Sequence, residues 1–422
     1  MDGTTDRPTY GGRLRRCPGG KTVTPESVDQ DAAMLRHRLA QQIADEGKVR
    51  SPQWLEAIAN VPRHEFVQEF FTRVEDGAGP TLWEPTDPQR SGVRRWLELA
   101  YTDSSHVTQL DGHLAPFDVT SGVNGTPTSS STLPSLVVQM WEDLDARDGD
   151  RVLEVGTGTG YSTALGCYRL GDKNITSIEV DPSIAAKARQ SLERVDYHPH
   201  LIAGDGLNGV PDGAPYDRII ATCALRSVPP AWIEQSRRGT VILVTLSGWL
   251  GGTGLAKLTV TGTGTAEGRF LPGYVSFMPA RAHASQPATI PVLDDKAPLR
   301  STAFGPDVIS SYGAAQMIAQ LAAPDAQYLQ LIADDGAAEH LVVQDDSSYA
   351  HFAGEPGNWA VQQGGPVQLW DKVEEALAKW HASGQPNLDT FRIRVTPDRQ
   401  VIDVAGWTGE LPTRTIGGSS TG

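Results

Sequence analysis

Apolar and polar positions alternate in two rhythms along this chain, and the change of rhythm predicts its architecture. Between residue 29 and about 46, Leu35, Leu39 and Ile43 recur every fourth residue, the spacing of one helical face. Ser51 followed by Pro52 predicts the start of a second helix, with a cap and a proline at the first helical position. From about 150 to 245 the rhythm becomes short strand-like segments at 152–155, 174–181, 201–203, 217–223 and 240–245, several of them largely apolar. Helical segments at 162–170 and 182–195 lie between them. This alternation predicts a doubly wound α/β sheet, with its ligand at the carboxyl ends of the strands. Residues 256–261 and 268–271 read as antiparallel additions to that sheet. Residues 77–92 and 110–131 are rich in Gly, Pro, Ser, Thr and Asp and predict loops.

Beyond a Pro- and Ser-containing linker at 282–299, strand patterns recur at 328–333, 339–344 and 349–352. A helix at 367–381 and a hairpin of 389–395 with 400–405 follow. The division this predicts is an irregular N-terminus (1–25), an α/β domain with an N-terminal helical segment (26–282), a smaller α+β domain (283–411) and a flexible tail (412–422). From residue 283 onward there are eight basic and seventeen acidic residues, so this part is strongly acidic.

The whole chain carries a net charge of −15 over 422 residues. That disfavours a nucleic-acid partner, because binding phosphates needs a basic face. No apolar run approaches a membrane span, and no apolar core follows the early arginines, so neither a membrane protein nor a signal peptide is expected. Three cysteines without metal-like spacing fit a reducing, cytoplasmic setting. Cys167 and Cys223 fall in apolar elements and read as core. The ten histidines are scattered; His198-Pro-His200 reads as a surface loop rather than a metal site, and no metal is expected. Trp359, Trp370 and Trp380 offer either a peptide platform or core packing.

The candidate chemistry sits where the first buried run breaks. Val152-Leu-Glu-Val155 runs into Gly156, Gly158 and Gly160 at alternate positions, then into a helix. Glycine lets a backbone turn sharply and approach a ligand, and the helix behind offers free N–H groups. The spacing is neither the dinucleotide fingerprint nor a phosphate loop with its Lys. With Glu154 just before it, the loop resembles the first motif of S-adenosylmethionine methyltransferases. Glu154, Gly156, Thr157, Gly158, Gly160 and Gly206 are accordingly candidate cofactor residues. Glu179, about 20 residues on, is the candidate for the ribose hydroxyls. Asp181 is second, or else caps the helix opened by Pro182. Asp205, in Gly-Asp-Gly206, meets the adenine edge or simply makes a turn.

Several segments together resemble protein-L-isoaspartate O-methyltransferases: Val61-Pro-Arg-His-Glu-Phe-Val67, Ala100-Tyr-Thr-Asp103, the glycine loop, Ser177-Ile-Glu179, Gly204-Asp-Gly206, and Ala214-Pro-Tyr-Asp-Arg-Ile-Ile220 followed by Val228-Pro-Pro230. They stand in family order across residues 30–250. The resemblance implies a carboxyl methyltransferase fold that uses S-adenosylmethionine. The family has Gln-Thr-Ile-Ser-x-Pro, whose Ser lies at the reaction centre. Here the run is Thr126-Pro-Thr-Ser-Ser-Ser-Thr-Leu-Pro134, which puts Thr132 at the Ser position and Ser130 at the Thr position. Thr132, Ser131 and Ser130 are the catalytic candidates, or caps for the helix that follows.

Trp96-Leu-Glu-Leu-Ala-Tyr-Thr-Asp103, Val107-Thr-Gln-Leu-Asp111, the Ser/Thr run and Phe277-Met-Pro-Ala-Arg281 look closer to one branch, which modifies ribosomally made peptides such as graspetides, lanthipeptides and lasso peptides. That resemblance implies methylation of an Asp side chain in a dedicated precursor peptide, leading to aspartimide or isoaspartate. General repair of isoaspartyl proteins is the alternative, and a scaffold that binds the cofactor without turnover is a third. A carboxylate is already ionised at neutral pH, so such chemistry needs no general base, and none stands out in the sequence.

Overall fold

The computed structural model describes residues 25–74, 81–294, 296–332, 338–345, 347–404 and 406–412. The expected irregular segment before residue 25 and the tail after 412 lie outside the described residues.

A ten-stranded sheet forms the body of the molecule. Strand Val152–Val155 is flanked by parallel neighbours on both sides, Ile175–Glu179 and Tyr216–Leu225. His200–Ala203 closes one edge beyond Ile175–Glu179, and Ser236–Ser247 continues the other side in parallel. The chain therefore winds outward one way, returns, and winds the other way. The switch falls beside Val152–Val155, all four residues of which are buried. Open α/β sheets hold ligands at such a point. Thr253–Gly262 and Thr265–Phe270 then pair antiparallel, as the sequence predicts.

Helix Pro25–Asp45 and helix Pro52–Asn60 match the four-residue rhythm, with Leu39 and Ile43 buried. Ser51 stands at the cap position with extended backbone but makes no side-chain cap bond. Two stretches read as loops contain strands. Leu82–Thr86, Val123–Asn124 and Pro127–Ser131 join Phe70–Val74 and His106–Leu110 in a five-stranded antiparallel sheet. Their Thr and Ser residues mask the period-two pattern, because hydroxyls serve as both buried and exposed positions here. Ser129 and Ser131 are buried while Ser130 is half-buried.

The division expected at residue 283 does not coincide with a break in the sheet. Arg392–Val395 pairs with Thr265–Phe270, and Gln400–Val404 and Trp407–Glu410 extend the same sheet to ten strands. One continuous core holds Leu153 and Ile219 together with Ile318, Trp370 and Ile402. The reason is physical: Thr265–Phe270 would otherwise be an open edge with unpaired N–H and C=O groups. The remaining strands of this part form a separate five-stranded sheet, Leu299–Ser301, Asn358–Gly364, Tyr349–Glu355, Ala338–Val343 and Gln327–Ile332. Trp370, fully buried, sets its ring edge-on to Phe352 at 4.6 Å, so its role is packing. No helix among the described residues is long and apolar enough to cross a membrane.

Candidate active site

Strand Val152–Val155 ends in the glycine loop, and the loop opens a cavity of about 490 Å³. That is within the range of sites for small ligands. Gly156 and Gly158 have φ of 96° and 54°, in the left-handed region. A Cβ on Gly156 would stand 2.7 Å from the Thr222 Oγ1, and one on Gly158 would stand 3.4 Å from the Ser130 carbonyl. Both positions therefore need glycine for conformation, and Gly156 needs it for space as well. The hydroxyl strand lies directly against this loop.

Gly156, Thr157, Gly158, Glu179, Asp205 and Gly206 line the cavity together with Ser130, Ser131 and Thr132. Two candidates do not line it. Glu154 is completely buried beneath the loop, where its Oε2 accepts from Thr163 Oγ1 at 2.5 Å and Ser177 Oγ at 2.8 Å. Successive strand residues point to opposite faces, so Val155 meets the cavity and Glu154 turns away from it. Burial pushes the Glu154 carboxyl above its ordinary range. Gly160 faces Phe66, Ala188 and Leu192 instead, as the left-handed cap of helix Tyr161–Leu170. Its glycine serves the turn.

The Glu179 carboxylate accepts from the Gly158 N–H at 2.9 Å and from the Asp181 N–H at 3.1 Å. Burial raises its pKa against those two bonds. A carboxylate has about four lone-pair sites, so two remain for hydroxyl donors. Asp181 is the cap of helix Pro182–Arg194, accepting from the N–H groups of Ser183 and Ile184. Its own burial acts to raise its pKa, but hydrogen bonds from Ser183, Gln109 and Arg281 outweigh that and hold the carboxyl well below the usual range. Asp205 caps the turn at 206–208 through the Leu207 N–H and also borders the cavity.

Ser131 is buried and its Oγ has no hydrogen-bond partner among the described residues. Helix Pro134–Asp143 is preceded by Leu133 without any side-chain cap, so the Ser/Thr run does not serve as its cap. Among the described residues, no His or Lys lines the cavity. Cys223 does, but burial pushes its thiol up to about 12, which leaves it protonated at neutral pH. No cluster of metal-binding side chains occurs among the described residues.

The segment 276–282, whose sequence shows only the Phe277–Arg281 stretch ahead of the linker, closes the cavity. It is pinned there by backbone bonds from the Ala224 N–H to the Met278 carbonyl and from the Ala280 N–H to the Ala224 carbonyl, both 2.9 Å. Among the described residues, Arg281 is the only cationic side chain lining the cavity. Its Nη2 donates to Asp181 Oδ2 at 2.7 Å and to Gln109 Oε1 at 3.0 Å. Nothing in local periodicity signals this, because the segment is irregular.

The residues present fit S-adenosylmethionine. Two glycines leave the space a Cβ would fill, Glu179 keeps acceptor capacity, and Ser131, whose buried hydroxyl has no partner among the described residues, borders the same chamber.

A sequence profile described as "Protein-L-isoaspartate(D-aspartate) O-methyltransferase (PCMT)" matches residues 103–249, the span from the Ala100–Asp103 segment through the glycine loop. The protein-L-isoaspartate O-methyltransferase of Ignicoccus hospitalis is 35% identical over 169 residues, covering 40% of this chain and 78% of that protein. That of Methanopyrus kandleri is 30% identical over 212 residues, covering 50% of this chain and 75% of its own. A solved structure of a protein-L-isoaspartate O-methyltransferase superposes with a TM-score of 0.50 at 19% identity, over 88% of this chain and 99% of its own. The fold likeness thus reaches past residue 283.

Proposed function

The chain belongs to the protein-L-isoaspartate O-methyltransferase family, and from that premise we propose that it esterifies a side-chain or isoaspartyl carboxylate of a peptide, using the cavity between the glycine loop and the Ser130–Thr132 strand. The observation that carries this reading is the juxtaposition itself. A cradle of Gly156, Gly158, Glu179 and Asp205 shares one chamber with Ser131 and Thr132.

When bound, S-adenosylmethionine supplies an electrophilic methyl group on a sulfonium. The backbone at Gly156–Gly158 and the helix N-terminus behind it receive the amino-acid end of the cofactor. Glu179 accepts from the ribose hydroxyls, and Asp205 meets the adenine. The methyl-accepting carboxylate is ionised at neutral pH, with an ordinary pKa of about 3.9 for Asp, so no residue must remove a proton from it. Ser131 and Thr132 donate hydrogen bonds that orient it without protonating it. Rate then comes from alignment and the exclusion of water. The ester formed is a good electrophile. Attack by the next backbone amide nitrogen closes a succinimide ring, breaks the ester C–O bond and releases methanol with the amide proton.

The finer proposal is a dedicated, ribosomally made and crosslinked peptide as substrate, with cytoplasmic action. Three of the four segments that resemble the peptide-modifying branch converge at the cavity wall, and this supports it. Gln109 accepts from Arg281 at 3.0 Å and from Thr128 Oγ1 at 2.9 Å, joining Val107–Asp111, the Ser/Thr run and Phe277–Arg281. General repair is the second reading, and the likeness of fold over 88% of the chain favours it, since a longer chain is not by itself a mark of a dedicated enzyme. Mass spectrometry after incubation with S-adenosylmethionine separates them. Methylation of a short linear isoaspartyl peptide followed by methanol loss supports repair. Cofactor binding without turnover of that peptide, with methylation of a crosslinked one, supports the dedicated role. Turnover of neither rejects both.

A further inference from the structure

Arg63 is completely buried and makes no ion pair among the described residues; Asp103, whose charge favours the ionised guanidinium, is paired with Lys48 at 3.2 Å. Its donors are spent on carbonyl oxygens. Nη1 donates to Ala100 at 3.0 Å and Thr102 at 2.7 Å; Nη2 donates to Ser104 at 2.8 Å and, more weakly, to Thr132 at 3.4 Å and Ser131 at 3.5 Å. Nε has no partner among the described residues. Its guanidinium lies 5.7 Å from the centre of the Tyr161 ring, which itself lines the cavity.

Carbonyl dipoles spread this charge but cannot cancel it. Burial lowers the Arg63 pKa to about 10, which still leaves the group charged at neutral pH. Taking an ion out of water costs several kcal/mol even after relaxation. A cation that satisfied only loop carbonyls could be replaced by ordinary turn chemistry at lower cost. Its position offers a reason. The turn it ties down also holds the reaction segment: Ser105 Oγ accepts from the Leu133 N–H at 3.1 Å, and Asp103 Oδ1 accepts from the Ser135 N–H at 2.9 Å. Glu179 and Asp205, elsewhere in the same lining, repel an anion.

We propose that Arg63 is a positioning residue for the methyl-accepting carboxylate, a buried cation behind Ser131 and Thr132 that makes this wall, and not the acidic part of the lining, the carboxylate-accepting one. The role rests on the carboxyl methyltransferase reading, but the charge it places at the wall can be measured without any substrate. A carboxylate held at the Ser131–Thr132 segment adds counter-charge to that of Asp103. The acceptor is thereby drawn in while remaining ionised, as methyl transfer requires.

The test uses the full chain carrying Thr132→Cys as a reporter. Iodoacetate and iodoacetamide alkylate the same thiolate and differ in charge, so the ratio of their rates at this thiol cancels its ionised fraction and its accessibility. Peptide mapping separates it from the three native cysteines. Arg63→Met is expected to lower the iodoacetate-to-iodoacetamide ratio at least about threefold, the response to losing a nearby unit charge, while Arg63→Lys retains most of it. A merely structural role would slow both reagents alike, leaving the ratio unchanged, and that result overturns the proposal. Circular dichroism and cofactor binding verify the fold of each variant. Should Arg63→Met not fold, the Thr132→Cys chain decides by itself. Its ratio should exceed that of the unfolded chain and persist in high salt, because buried charges are screened little. A folded thiol that favours iodoacetamide more than the unfolded one does overturns the proposal. Methylation is followed in the chain with Thr132 intact: failure of the ratio test beside methylation there removes Arg63's role alone, and a normal ratio without methylation there removes the proposed activity instead.

Discussion

Arg281 reaches Asp181 across 2.7 Å and thereby ties the segment that closes the cavity to the end of the strand bearing Glu179. The carboxylate is buried while the guanidinium is 41% exposed, so solvent moderates the pair. Partly exposed pairs contribute on the order of 1 kcal/mol or less. A double-mutant cycle with Arg281→Met and Asp181→Asn should give a coupling of that size. Asparagine also caps helices well, so Asp181→Asn removes the charge and keeps the cap. Both variants should weaken cofactor binding by several-fold, read by calorimetry, with the melting temperature little changed.

Asp181 also carries a pH signature. Its folded pKa lies below the unfolded value, so its contribution to stability is complete above about pH 4 and is lost as pH falls through the lower folded value. The stability difference between the natural chain and Asp181→Asn should be flat between about pH 5 and 8 and shrink only in strong acid. Denaturant unfolding at stepped pH measures it. A difference that already falls near pH 6 would assign it to another group.

Gly158→Val should abolish cofactor binding and activity together. The residue has φ of 54°, and its Cβ would point at the Ser130 carbonyl 3.4 Å away, across the space between loop and hydroxyl strand. Strained backbone of this kind costs on the order of 1–3 kcal/mol. Binding that survives the substitution would mean that the cofactor lies elsewhere.

Ser131→Ala and Thr132→Val test the hydroxyl wall. Each should lower kcat by about 10- to 1000-fold while leaving cofactor affinity unchanged, the pattern of lost hydrogen bonds at the reacting group. Equal loss of cofactor affinity would place these residues on the cofactor side instead.

Truncation after residue 283 should unfold the protein rather than merely blunt substrate choice. It removes Arg392–Val395, Gln400–Val404 and Trp407–Glu410 from the central sheet and strips Trp370 and Ile402 from its core. Loss of the cooperative melt, followed by circular dichroism, is the expected outcome. A soluble truncated chain that still binds S-adenosylmethionine would show that the sheet is self-sufficient at Thr265–Phe270.

The parallel half of the fold was legible because buried parallel strands read as largely apolar runs, as in Val152–Val155 and Ile219–Ala221. The glycine loop was legible through its spacing. The Pro127–Ser131 strand was not, since hydroxyl side chains fill both its faces. Glu154 was misplaced because chain proximity to the loop does not reveal which face a strand residue takes. Arg281 and Arg63 escaped as site residues for a common reason. Each acts through partners more than thirty residues away, and a single sequence carries no mark of such pairings.

Incubation with methyl-labelled S-adenosylmethionine tests the central claim most directly. The account predicts label transferred to a peptide carboxylate, as a mass gain of one methyl replacing one proton, and released as methanol under mild alkali. The transfer should vanish in Gly158→Val. Label on a peptide nitrogen or sulfur, stable to alkali, or no transfer to linear isoaspartyl and crosslinked Asp peptides by a chain that binds the cofactor, would contradict it.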